Sequence, residues 1–268
     1  MPIHPSISPR IALKIDVITH RAALTGMPHL VDILRRNRAA ASFLCHPRLL
    51  GHMGAATEAG CEVGLLAAEP RPWWSRLGSE TPQAYEARLR KAQADFIAAL
   101  GTAPQLHAAA DWKLYQHGLR LTQRLGFAYA SDCRGRHPYV PVWNGEIVRC
   151  PQFPTTLPTI DELAERGRPD LTAVRTQLLA LTAKPAPNGH VFSLRPPHPP
   201  GKLDEFLEQL FAGWREQGYE LCSIQGLASA FDMDKLPRHE VVVGTVPGHS
   251  GSLLMQGNEF LSEWRQAA

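Results

Sequence analysis

IALKIDVITHRAALTGMPHLVDILRRNRAAASFLC, residues 11–45, reads as strand, helix, strand. The run IALKIDVI (11–18) is apolar apart from Lys14, Asp16 and its neighbours' backbone, the pattern of a strand covered on both faces. In PHLVDILRRNR (28–38), Leu30, Ile33 and Leu34 share one stripe with arginines opposite, so a helix is expected. AASFLC (40–45) returns to a short apolar run. The alternation continues through a helix at 54–60, a strand at 61–67 and a long helix over TPQAYEARLRKAQADFIAALG (81–101). Pro82 and Gly101 mark that helix's two ends. Further strands are expected at 104–110, 127–132, 147–154, 190–195 and 219–224, with helices at 115–126, 160–183 and 202–218.

Strands alternating with helices specify a parallel α/β architecture. The chain shows no internal repeat, low-complexity linker or composition break, so one barrel is expected rather than two lobes. The boundaries read as an N-terminal tail at 1–10 and a barrel at 11–268.

Composition narrows the function classes. The 268 residues carry 28 Lys+Arg against 25 Asp+Glu, a net +3 that gives no argument for nucleic acid. Gly and Pro together make about 16 %, below the roughly 25–30 % of low-complexity chains. No run approaches the ~18 apolar residues of a spanning helix, and MPIHPSISPRIALKIDV has no apolar secretory core. Cys45, Cys61, Cys133, Cys150 and Cys222 are scattered without a CxxC pair, which reads as reduced thiols and a cytoplasmic location.

In a β/α barrel the chemistry sits at the carboxyl ends of the strands. Those ends carry Asp16 to His20, Cys45-His46, Leu65 to Arg71, Ala110-Asp111-Trp112-Lys113, Ser131 to Gly135, Phe153 to Thr159 and Leu194-Arg195. Taken in order, IALKIDV, ASFLC, EVGLL, AAADWK, SDCRG, QFPTTLPTIDEL, HVFSLR and VVVGTVPGHSG resemble the polysaccharide deacetylase family with the NodB homology domain. The resemblance runs from about residue 11 to the end of the chain. SDCRG and PTTLPT point to the branch that deformylates lipid-linked 4-deoxy-4-formamido-arabinose. It implies a distorted (β/α)7 barrel, an N-formyl or N-acetyl sugar as substrate, a divalent metal that activates water, and a carboxylate base.

The departures from the family's pattern bear on chemistry. Asp16 keeps the base position, but Ile18 stands where the resemblance puts a metal-binding aspartate. Leu66 and Pro70 stand where it puts two metal-binding histidines, and Arg195 where it puts the general-acid histidine. Ile, Leu and Pro offer a divalent ion no lone pair. Arg195 stays protonated near neutral pH and cannot act as general acid, although it can bind an anion. No bound metal or other cofactor is therefore expected. The long insertion that lipid-linked deformylases carry between their second and third strands is also missing, and with it a means of docking on lipid.

Several features keep two readings. Asp16 reads as a vestigial base or as a strand cap. Asp132 and Arg134 read as sugar or phosphate contacts or as an internal salt bridge, and Trp112 with Lys113 as a sugar platform or as barrel-mouth core. Ser131 and Thr156 complete the candidate substrate contacts. His20, His46, His52, His107 and His198 are the candidates for a rebuilt metal site. Trp73-Trp74 reads as a mouth cover or partner surface, RPPHPPGK (195–202) as a stiffened loop, and Cys133 as a small buried thiol. The expectation is a degenerate, non-catalytic member of the family that binds an aminosugar, a sugar phosphate or a protein partner. The alternatives are an active N-deformylase or N-deacetylase with a rebuilt or metal-free site, and an inert scaffold.

Overall fold

A computed structural model describes residues 9–67, 81–114, 117–164, 170–197, 199, 201 and 203–261. Pro70, Trp73-Trp74, His198 and most of the expected N-terminal tail lie outside the described residues. The central strand is β1 (Arg10–Val17), buried along almost its whole length. It pairs in parallel with β2 (Ser42–Cys45) on one edge and with β8 (His190–Leu194) on the other. β3 (Glu62–Ala67), β4 (Leu106–Ala109) and β5 (Tyr129–Ala130) follow outward from β2, giving the order β5-β4-β3-β2-β1-β8. A short strand, β9 (Glu220–Cys222), pairs with the start of β1 ahead of β2.

The sheet curls, and the gap between β5 and β8 is spanned by residues 151–157. Ala130 N donates to Pro151 O and Phe153 N to Ala130 O on one side, while Thr156 N and Leu157 N donate to Val191 O on the other. This segment is the seventh stave. The sequence predicts a regular strand over 147–154, but Pro151, Pro154 and Pro158 have no N–H to give a ladder, so the stave is irregular. Glu146–Ile147 belongs elsewhere, as β7, which pairs with β6 (Val140–Trp143). With β10 (Arg238–Gly244) and β11 (Leu253–Glu259) these strands form a second, four-stranded sheet that the sequence reading does not anticipate.

The helices fall close to expectation. A π-helical turn (Ala22–Gly26) leads into α1 (Met27–Arg36), and α2 (Gly54–Glu58) precedes β3. α3 (Pro82–Leu100) starts where the Thr81 hydroxyl accepts from Ala84 N and stops at Gly101, whose φ of 75° suits a residue without Cβ. α4 (Gly118–Arg124) follows β4. The 160–183 stretch splits into α5 (Ile160–Leu163) and α6 (Leu171–Leu181), and α7 (Asp204–Glu216) packs Trp214 and Phe211 beneath the barrel wall. α8 (Ile224–Ala228) closes the barrel's amino end.

Two apolar layers result. The larger lies between the helices and the outside of the barrel. The smaller, with Ala12, Leu44, Leu66, Leu106, Ala108, Tyr129, Phe153 and Val191, fills the barrel interior, with Ile18 packed against it. The register Lys14↔Ser42 and Asp16↔Leu44 puts Lys14 and Asp16 on that same inward side. β1 thus carries two charges through an apolar interior towards its carboxyl end, which is where a site is built.

Candidate functional site

At that end lies a cavity of about 410 Å3 lined by Asp16, Asp111, Trp112, Lys113, Arg195 and His249, among others. Asp16 is 6 % exposed, and its Oδ1 has no hydrogen-bond partner. Lys14, with no exposed surface, donates from Nζ to Ser131 O at 3.0 Å and stands 3.8 Å from Asp16 Oδ1. Burial raises the Asp16 carboxyl above the ordinary carboxylate range, outweighing the pull of Lys14 and Arg195 in the other direction.

The far wall is built on strained backbone. Asp111 and Trp112 follow β4 with φ of 52° and 54°, at a cost of roughly 1–2 kcal/mol each for non-glycine residues. Trp112 is held there by its indole N–H donating to Thr155 Oγ1 at 3.0 Å. Arg134 lies 4.7 Å and Lys14 Nζ 5.5 Å from its ring centroid. Trp112 lines the cavity with only 5 % of its surface exposed. Asp111 forms an ion pair with Arg195 across the cavity mouth, and both side chains are half exposed.

The remaining sequence candidates lie beside the cavity rather than on it. Asp132 is fully buried, accepting from Gln152 Nε2 at 3.0 Å and lying 2.8 Å from His107 Nδ1. Arg134 Nη1 donates to both carboxylate oxygens of Glu162, each at 2.9 Å, with side chains 7 % and 2 % exposed. Thr156 pairs with His190 Nδ1 at 3.2 Å and with Val191, and Ser131 is wholly buried. For Asp132 and Arg134 the structure favours the internal-network reading over ligand contact. Cys133 is buried too, and burial pushes its thiol well up, so it is no nucleophile.

Ile18 packs on the interior cluster to which Leu66 belongs. The histidines considered for a rebuilt site have separate tasks. His46 Nδ1 accepts from Arg48 N, His107 pairs with Asp132, and His20 meets His52 edge to face at 5.7 Å. Among the described residues no three His, Cys, Asp or Glu side chains are grouped to hold a metal ion.

His249 is a cavity residue that sequence reading misses. It arrives on the 245–252 connection between β10 and β11, from the VPGHSG motif whose sequence gives no strand-end position. Gly248 seats this connection against α5: its φ is 77°, and a Cβ there would meet Glu162 O at 2.1 Å. His249 meets the Trp112 ring at 5.5 Å, and its Nδ1 is 3.5 Å from Glu162 Oε1. Asp111, Thr159, Asp161, Glu162, Ser193 and Ser250 also line the cavity without having been singled out.

His46, His190, His239 and His249 all lie below the ordinary imidazole value of 6.5, burial being the first cause each time. The fold therefore prefers their neutral forms. Their contribution to stability is complete above 6.5 and is lost as pH falls through the folded values. Asp16 acts in the opposite sense, its acid form being the one the fold prefers. Through these four imidazoles the urea midpoint is expected to fall when pH drops from about 7.5 to about 5.5, with Asp16 opposing them. A midpoint that rose over that interval would contradict this balance.

Barrel, irregular seventh stave and mouth cavity together define a protein with the NodB-type fold of the polysaccharide deacetylases, the CE4 family. A solved structure from Mycobacterium smegmatis, assigned as a polysaccharide deacetylase, superposes with a TM-score of 0.66 at 16 % identity, over 91 % of this chain and 98 % of that one. A CE4 family pseudoenzyme from Bacillus anthracis superposes at 0.57 and 18 % identity, over 88 % of this chain and 70 % of that one. In sequence, the chain is similar to the protein assigned as 4-deoxy-4-formamido-L-arabinose-phosphoundecaprenol deformylase ArnD of Shewanella sediminis. The two are 24 % identical over 93 % of this chain and 95 % of the relative. The counterpart in Wigglesworthia glossinidia brevipalpis is 24 % identical over 56 % of this chain and 51 % of its own length. No protein-family profile matches the chain.

Proposed function

We propose that this chain is a non-catalytic binding protein of the deacetylase and deformylase fold, taking an aminosugar-bearing ligand in its mouth cavity. The observation that carries this reading is the apolar packing of Ile18 and Leu66 in the barrel interior, at the positions where the family resemblance puts metal ligands. In metal-dependent amide hydrolysis the ion lowers the pKa of its water from about 15.7 to about 7. At 1.36 kcal/mol per tenfold, the remaining groups would have to supply up to roughly 12 kcal/mol. Among them, Arg195 already pairs with Asp111.

Binding does not need the metal. Asp16, Lys113, Arg195, Ser193 and Ser250 give the cavity both charges and hydroxyls, a lining suited to a polyhydroxylated amine or amide. The ArnD relatives' name specifies a lipid-linked formamido sugar, and the same head group is the ligand class proposed here. No helix among the described residues is long and apolar enough to cross a membrane. We place the protein in the cytoplasm, as its reduced cysteines suggest.

The test is calorimetry with 4-deoxy-4-formamido-L-arabinose and its free amine, alongside a formate-release assay with Zn2+, Mn2+, Ni2+ or Co2+ added. Saturable binding without formate release is the expected result. Formate released with turnover overturns the non-catalytic reading, and no binding of either sugar overturns the ligand assignment.

A further inference from the structure

Only two of the cavity's lining residues carry a buried polar atom without a hydrogen-bond partner among the described residues: Asp16, at Oδ1, and His249, at Nε2. Buried polar atoms left unpaired are costly, and a site that keeps them is prepared to pair them with something else. Asp16 is on β1 in the barrel floor, whereas His249 comes from the second sheet, on the connection that Gly248 locks to α5. We propose that His249 is the ligand-reading group of this cavity, accepting a hydrogen bond at Nε2 from a hydroxyl or amine of the bound aminosugar. The inference rests on the binding function proposed above and adds the residue that determines it.

The tautomer follows from the surroundings. Glu162 Oε1 is 3.5 Å from His249 Nδ1, so the N–H belongs on Nδ1 and Nε2 keeps its lone pair. The ring is fixed edge-on to Trp112 and is only 13 % exposed. Charged groups of both signs face it: Glu162 from α5, Asp111 and Lys113 from the turn after β4, and Arg134 from the turn after β5. Asp16 lines the same cavity from β1. Protonating the ring removes the acceptor and adds a cation near Lys113 and Arg134, so ligand binding should weaken on acidification.

Calorimetry with 4-deoxy-4-formamido-L-arabinose between about pH 5.5 and 8 tests this on the full chain and on His249→Ala and His249→Gln. His249→Ala is expected to bind about tenfold more weakly, the equivalent of about 1.4 kcal/mol. His249→Gln, which retains an acceptor but does not titrate, is expected to recover most of that loss and to lose the acid-side decline. A nitrogen-15 spectrum of the parent should show an unprotonated Nε2 that shifts when the sugar is added, a readout that an altered fold in the variants cannot mimic. Equal affinity and an unchanged pH profile in His249→Ala, with no imidazole shift in the parent, would overturn this inference and leave the binding function standing. Failure of the parent itself to bind would overturn both.

Discussion

Glu162→Gln is expected to destabilise the fold by roughly 3–5 kcal/mol, because it leaves the Arg134 guanidinium buried without its anion. Arg134 Nη1 donates to both Glu162 oxygens, and the side chains are 7 % and 2 % exposed, so little water reaches either partner. Glu162 also accepts from Thr159 N at 2.9 Å in the capping box that starts α5, and its Oε1 is the acid nearest His249. One substitution therefore loosens the turn after β5, the first turn of α5 and the seat of the β10–β11 connection. For a chain of this size the expected fall in Tm is on the order of 10 °C. Replacing both partners, with Arg134→Met and Glu162→Leu, should cost less than Glu162→Gln alone, because no charge is left unpaired. A loss under about 1 kcal/mol in Glu162→Gln would show that solvent reaches the pair. The Arg195–Asp111 pair is a useful contrast: with both partners half exposed, Arg195→Gln should change stability by no more than about 1 kcal/mol.

Ile18→Asp with Leu66→His is the second large effect. Leu66 is wholly buried in the barrel interior and Ile18 packs on the same cluster. Placing a carboxylate and an imidazole there should destabilise the protein by roughly 2–5 kcal/mol, through lost apolar packing and unpaired polar groups. Adding Pro70→His would supply the third donor that a tetrahedral or octahedral ion requires. If the three positions converge as the family resemblance implies, Zn2+ should recover about 2.7 kcal/mol at a hundredfold excess over its Kd. Denaturant melts with and without Zn2+ give the answer. A triple variant that Zn2+ neither binds nor stabilises would show that these positions do not surround one point.

The barrel was legible because its signal is local. IALKIDVI is apolar enough to be covered on both faces, and each strand's own residues carry it to the mouth. Asp16, Trp112, Lys113 and Arg195 reach the cavity for that reason, each at or just past the carboxyl end of a strand of the parallel sheet. Ser131, Asp132 and Arg134 do not. β5 ends at Ala130, and the chain turns beneath the mouth, where partners 20 and 28 residues further on satisfy the two charges. Nothing near residue 132 announces Gln152 or Glu162. The second sheet was hidden for the same reason, since β6 and β10 are about a hundred residues apart in the chain. His249 depends on that pairing for its position. The prolines at 151, 154 and 158 were in plain view, and their missing N–H groups account for the irregular seventh stave.

The most direct test of the central claim is the metal content of the purified full-length protein after incubation with Zn2+, Mn2+, Ni2+ and Co2+, determined by elemental analysis alongside native mass spectrometry. A binding protein with Ile18, Leu66 and Pro70 at the positions where the family resemblance implies metal ligands should retain well under one ion per chain and show no thermal shift with any of the four. One tightly held ion per chain, released only by a chelator, would contradict the account and return the barrel to metal-dependent chemistry.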